Sequence, residues 1–242
     1  MQKKVQRNKS QCTDVTWAGR ADCAQCAIRS RVLFADVSNE ELEHVLLTID
    51  DIAYAPHSVL YQAGEKGDSM FTIRRGLVKL VQYLPNGSQR IVRLLKTGDV
   101  AGLELAVGRT YKHAAIALNE THVCRIPKTA IEHMGVDHPH LCHQFMVRWQ
   151  RNIDEADRTI TEFSTGPADV RIARLLHHLA LPGEDGHCQV MGREDMGSIL
   201  GITTETASRV MADFKRRGII LESSNQHACL CDITLLHQVA NS

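Results

Sequence analysis

Two groups of residues in this 242-residue chain have the types and spacing to do chemistry. The first is its set of eight cysteines, in which Cys23-Ala-Gln-Cys26 forms a C-x-x-C pair. In a cytosolic setting such thiols serve as buried small hydrophobes, metal ligands or redox centres. The second is Glu205, Ser208 and Arg209, spaced i, i+3 and i+4. On a helix these three side chains project together. Glu accepts from cytosine N4, Arg forks onto guanine O6 and N7, and Ser adapts to either. That is the chemistry of a protein reading base edges in double-stranded DNA.

The element carrying Glu205 must be the second helix of a helix-turn-helix. Residues 192–218 read GREDMGSILGITTETASRVMADFKRRG. The pattern predicts a first helix from Arg193 to Leu200, with Glu194 and Asp195 in its first turn, where acids suit the dipole. Gly201 and Ile202 form the turn, and Thr203 or Thr204 caps the second helix. That helix runs to Arg217 and stops at Gly218. Ile199, Leu200, Ile202, Val210, Met211 and Phe214 form the inner face of the two-helix motif, and Gly197 lets the helices approach. Thr203 and Thr204 join the outward face, and Lys215, Arg216 and Arg217 are placed for phosphate. An ordinary helical hairpin would carry Glu205 and Arg209 as a surface pair. It would not need the Gly turn, the polar triad and the basic end together.

Composition sets the remaining bounds. Lys+Arg equals Asp+Glu, 28 against 28, so a nucleic-acid surface has to come from local patterning rather than net charge. No apolar run approaches the ~18 residues that would suggest a membrane span. The opening MQKKVQRNKSQ has no apolar core behind it, so no secretory signal is expected and a cytoplasmic location is. The chain lacks a P-loop, a G-x-S-x-G elbow, an H-E-x-x-H and a dinucleotide fingerprint, which argues against an enzyme.

Residues 36–137 carry strand signals: 70–74, 77–83 and 89–95 are short runs cut by Arg75-Gly76, Pro85-Asn86-Gly87 and Thr97-Gly98-Asp99. Asn-Gly between two alternating runs predicts a hairpin with positive φ at both central residues. Residues 138–163 change period. Met146, Trp149, Ile153, Ala156, Ile160 and Phe163 are spaced 3, 4, 3, 4 and 3, a narrow heptad seam in a charged surround. An amphipathic helix on its own domain is one reading. A helix paired with its twin in a homodimer fits the narrow stripe better. Residues 1–35 form a polar, cysteine-bearing segment. Residues 164–242 form the small DNA-binding domain, introduced by Ser-Thr-Gly-Pro.

With AGEKGDSMFTIRRGLVKL, KTGDVAG, the long helix and E-x-x-S-R in this order, the chain resembles the Crp/Fnr family over roughly residues 20–240. The resemblance implies an α+β fold: a cyclic-nucleotide-binding-like β-roll (jelly roll), a long dimerisation helix and a C-terminal winged helix-turn-helix. It also implies two-fold sites with TTGAT-like half-sites, contact with RNA polymerase, and either activation or repression. The cyclic AMP branch places a Gly-Glu pair after its Gly-Asp turn and an Arg-Ser/Thr-Ala run beyond. Here Leu103 and Tyr111-Lys112-His113 stand instead, which argues against cyclic AMP. The Fnr branch holds an oxygen-sensitive [4Fe-4S] cluster on N-terminal cysteines and one in a late roll strand. Cys23, Cys26 and Cys124 match three of its positions by spacing, and Val32 stands where another cysteine is usual. Cys12 can supply the fourth thiolate by closing a short flexible loop. A Cys23/Cys26 dithiol switch, a small effector in the roll, and structural or zinc-bound thiols remain open beside the cluster, as does a thiol-exchange or metal-binding protein. Cys188, Cys229 and Cys231 read as structural.

Overall fold

The computed structural model describes residues 15–23, 25–35, 48–137, 139–180, 186–225 and 228–242. Its strands, in chain order, are β1 (Val15–Arg20), β2 (Asp50–Tyr54), β3 (Val59–Tyr61), β4 (Ser69–Arg75), β5 (Val78–Tyr83), β6 (Gln89–Leu95), β7 (Val100–Ala101), β8 (Ala114–Ala117) and β9 (Thr121–Pro127). Helices α1 (Lys128–Asp137), α2 (Pro139–Thr161) and α3 (Ala168–His178) follow. Then come β10 (His187–Gln189), α4 (Arg193–Leu200), α5 (Thr204–Arg216), β11 (Ile220–Asn225), β12 (Ala228–Cys231) and α6 (Ile233–Ala240). The chain divides into two compact units, Met1–Val78 with Lys96–His138, and Lys79–Leu95 with Pro139–Ser242.

In the first unit an antiparallel sheet has the order β1-β2-β9-β4-β7, and β3 pairs with β8. Met70, Ile73 and Val123 are fully buried, and β4 is buried without a break from Ser69 to Ile73, as a strand covered on both faces is. β1 was not anticipated: the sequence predicts only a polar segment there. Nearly every β1 residue is exposed, and Gly19, at φ 125°, interrupts its pairing with β2. A strand without a buried face carries no period-2 signature. Asp50 anchors it. Trp17 Nε1 and Arg20 Nη1 donate to its Oδ1 at 3.1 and 2.8 Å, and Arg125 Nη2 donates to Oδ2 at 2.5 Å.

In the second unit β5 and β6 are neighbouring strands joined by residues 84–88. Among the described residues only His57 has positive φ outside glycine, so Asn86 does not adopt the expected conformation. Its side chain instead accepts from Ser88 N at 3.0 Å, closing a longer turn in which Gly87 alone has φ of 81°. α2 ends at Thr161. Met146, Trp149, Ile153 and Ile160 on it are exposed, at 63, 37, 47 and 65%, and Ala156 is half-buried. Phe163 departs from the expected seam. It lies past the helix end, 1% exposed, edge-on to His178 with ring centroids 5.6 Å apart. The order β10-β12-β11 makes a three-stranded wing, with β10 against α3 and β11 against α5. No helix among the described residues is long and apolar enough to cross a membrane.

Candidate nucleic-acid interface and cysteine site

The two helices of the motif form where the sequence places them. α4 ends at Gly201, whose φ of 65° is the left-handed cap that only glycine adopts cheaply. Thr203 is the N-cap of α5, its Oγ1 accepting from Thr206 N at 3.2 Å. Met196, Ile199, Leu200, Ala207, Met211 and Phe214 are buried between and beneath the helices, while Ile202 and Val210 are half-buried. Gly197 is indispensable to the approach: a Cβ there would lie 2.6 Å from the Ile202 carbonyl oxygen. A contact that sequence reading missed completes the frame. Arg171 of α3 reaches back, its Nη1 donating to the Leu200 carbonyl at 2.7 Å and satisfying an orphan acceptor at the end of α4.

Thr203, Thr204, Glu205, Ser208 and Arg209 are all exposed, on the side of α5 away from that core. The Glu205 carboxyl titrates below its usual value because its own backbone N–H and the Thr203 hydroxyl hydrogen-bond to it. It is therefore an anion with acceptor capacity at neutral pH. The basic end of α5 is less free than its sequence suggests. Arg216 Nη2 and Arg217 Nη1 both pair with Asp213, at 3.1 and 3.3 Å. Lys215 is exposed, and its charge favours ionisation of the Cys229 thiol.

In the wing, Cys188, Cys229 and Cys231 are buried together. Cys188 faces Cys229 across β10 and β12, and the sulfurs of Cys229 and Cys231 lie 3.4 Å apart. Cys229 is the readily ionised member, since Cys188 and Cys231 donate to it and Arg193 and Lys215 lie near. Its two neighbours are pushed up by that same sharing.

In the first unit, Cys124 on β9 stands opposite Asp51 of β2 and Thr72 of β4. Burial pushes its thiol up to about 12; Arg74 opposes this, and Cys23 and Cys26 add to it. Burial likewise raises Cys23, with Cys26 adding to it and Arg29 and Arg74 opposing. The three cysteines thus share one electrostatic neighbourhood around Arg74, which also pairs with Asp51. Neither Arg74 nor Asp51 had been singled out from sequence, because nothing local links them to a cysteine. Cys12 lies outside the described residues. Among those described, no group of three or more His, Cys, Asp or Glu is placed to hold a metal ion as it stands.

Where the cyclic AMP branch would carry a phosphate pocket, Leu103 is buried and Arg109 and Lys112 are exposed. The rings of Tyr61 and Tyr111 stack 3.7 Å apart, and the Tyr111 hydroxyl donates to the Ser69 carbonyl at 2.7 Å.

Known proteins sharpen this picture. Residues 51–137 match the cyclic nucleotide-binding domain, and residues 170–239 match the Crp-like helix-turn-helix domain. The chain belongs to the Crp/Fnr family. Among its relatives is the regulatory protein HlyX of Actinobacillus pleuropneumoniae, 27% identical, with 82% of this chain and 85% of HlyX covered. Another is the transcriptional activator protein anr of Pseudomonas aeruginosa, 26% identical over 89% of this chain and 91% of anr. An anaerobic regulatory protein of Haemophilus influenzae is 26% identical over 82% and 80%. The structure of FixK2 from Bradyrhizobium japonicum superposes with a TM-score of 0.69 at 23% identity, covering 79% of this chain and 96% of FixK2. Like other members of the Crp/Fnr family, the protein is a DNA-binding transcription regulator and not an enzyme.

Proposed function

We propose that the protein is a cytoplasmic, homodimeric regulator that binds two-fold TTGAT-like sites and answers to oxygen or redox state through a [4Fe-4S] cluster. Cys12, Cys23, Cys26 and Cys124 would hold the cluster. When bound, it supplies oxygen-sensitive redox chemistry. The carrying observation is the shared neighbourhood of Cys23, Cys26 and Cys124 around Arg74. Three thiols near a guanidinium that offsets thiolate charge have the donor chemistry such a cluster needs. The names of relatives, an anaerobic regulatory protein among them, support the same reading.

The chain's own residues do the rest. Glu205, Ser208 and Arg209 read base edges in the major groove, with Thr203 and Thr204 at the helix start. Lys215 contacts phosphate, and Arg216 does so where it leaves Asp213. Met146, Trp149, Ile153, Ala156 and Ile160 form the seam that brings two recognition helices one DNA turn apart. The division follows: 1–35 as the cysteine-bearing segment, 36–137 as the sensor β-roll, 138–163 as the dimerisation helix and 164–242 as the DNA-binding domain. Contact with RNA polymerase belongs to this reading. Cyclic AMP does not, since no inward cation stands at Leu103 or Tyr111 to receive its phosphate.

A dithiol switch on Cys23 and Cys26 is the second reading, favoured by their proximity alone. Anaerobic purification separates the two. About four iron and four sulfide per chain, with a visible absorption that bleaches in air and is lost in Cys12→Ala, supports the cluster. Iron-free protein whose Cys23 and Cys26 oxidise to a disulfide refutes it.

A further inference from the structure

The helix-turn-helix is seated on the β5–β6 hairpin through a buried ion pair. Lys79 Nζ donates to Asp195 Oδ1 at 2.5 Å, across 116 residues of sequence, and the two side chains are only 8 and 10% exposed. Charges taken this far out of water gain little net stability even when well paired. What such a pair supplies is direction, because it is satisfied in one geometry and costly in others.

Two more contacts continue the line. Ser198 Oγ donates to the Gln89 carbonyl at 2.7 Å. The Arg90 guanidinium covers Gly201, so closely that a Cβ there would lie 2.9 Å from Nη1. Residues 195, 198 and 201 recur every third position, so they follow one face of α4 into its turn. Three contacts along one edge hold α4 in a single attitude against the hairpin. α5 begins at Thr204, three residues past Gly201, and inherits that attitude. A cleft of about 630 Å³ separates the hairpin tip, at Tyr83 and Gly87–Gln89, from Thr203–Glu205.

We propose that Lys79 is a positioning residue for DNA recognition: through Asp195 it sets the attitude at which Glu205, Ser208 and Arg209 meet base edges. Lys79 itself is too deeply buried to touch a phosphate, so its effect is on selectivity and not on general DNA attraction. The proposal rests on the recognition-helix reading of α5.

The test uses fluorescence anisotropy with full-length protein at one salt concentration. One duplex is the two-fold site that the wild-type protein enriches from a randomised pool, and the other is a scrambled duplex of equal length. Wild type is compared with Lys79→Arg, Lys79→Met, and Lys79→Met combined with Asp195→Leu. The ratio of specific to scrambled affinity is expected to fall about tenfold or more in the two Met variants, while scrambled affinity stays within about twofold. Lys79→Arg restores most of the ratio. If Lys79→Met alone does not fold, the double variant decides, because it leaves no lone buried charge. A folded double variant with the wild-type ratio overturns the proposal. Arg209→Ala run alongside separates the two failures: an unchanged ratio there refutes the recognition-helix reading itself.

Discussion

Gly197→Ala is the sharpest probe of the helix-turn-helix, because two opposing effects have known signs. In an exposed helix the change stabilises by about 1 kcal/mol through backbone entropy. At position 197 the new methyl would sit 2.6 Å from the Ile202 carbonyl oxygen, where ordinary contact begins at 3.4 Å. The obstructing atom is backbone at the turn and cannot swing aside. α4 and the turn must separate by most of an ångström, which opens the packing among Met196, Leu200 and Ala207. Overpacking of this kind costs roughly 1–3 kcal/mol, and more where the backbone gives way. Because the obstruction is backbone, the cost lies in the upper part of that range, about 2–3 kcal/mol, and after the ~1 kcal/mol propensity gain the net loss is about 1–2 kcal/mol. At roughly 4–8 °C per kcal/mol for a domain this small, the melting transition of the DNA-binding unit drops by about 5–15 °C. Circular dichroism melts measure the loss, and anisotropy on the specific duplex should show weakened binding as α5 tilts. Ala212→Gly, on the exposed side of α5, calibrates the assay with a loss of about 1 kcal/mol from propensity alone. A Gly197→Ala protein as stable as wild type, with full specific binding, would refute the close approach of α4 to its turn.

Asp213→Asn should release Arg216 and Arg217 toward phosphate, raising affinity for scrambled DNA and steepening its dependence of log K on log salt by about 1–2; an unchanged slope would show that neither arginine reaches the backbone. Ile153→Glu or Ile160→Glu puts a charge into the exposed stripe of α2, and size-exclusion at micromolar concentration is expected to shift from dimer to monomer. Burial raises the Asp50 carboxyl, but hydrogen bonds from Arg125 and Trp17 and the charges of Arg125 and Arg20 outweigh it and hold the pKa below 3.8. Its contribution is thus present above that pH and is lost as pH falls through the lowered folded value. Asp50→Asn should flatten the loss of stability in that acid window, and melts at stepped pH that keep the wild-type slope would argue against it.

Local signals made the helix-turn-helix legible. The helix limits at Arg193–Leu200 and from Thr204 follow from a glycine cap, a threonine cap and an apolar face. Each of these acts within one or two turns of chain. The stripe on α2 was legible for the same reason, as far as Ile160. Phe163 broke the pattern because the helix stops at Thr161, after which periodicity no longer says where a side chain points. β1 was not legible: exposed on nearly all its residues, it is held by Asp50 rather than by a hydrophobic face.

By itself the sequence determined the limits of α4 and α5, the turn between them and which side chains of α5 face outward, because capping, turn and periodicity are encoded in neighbours. Only the tertiary structure decided that Arg74 stands among three cysteines, that Asp213 restrains Arg216 and Arg217, and that Lys79 meets Asp195 across 116 residues. Charges act through space, over distances that loop closure and packing set. A charge pairing so remote leaves no period, cap or turn for the sequence to show.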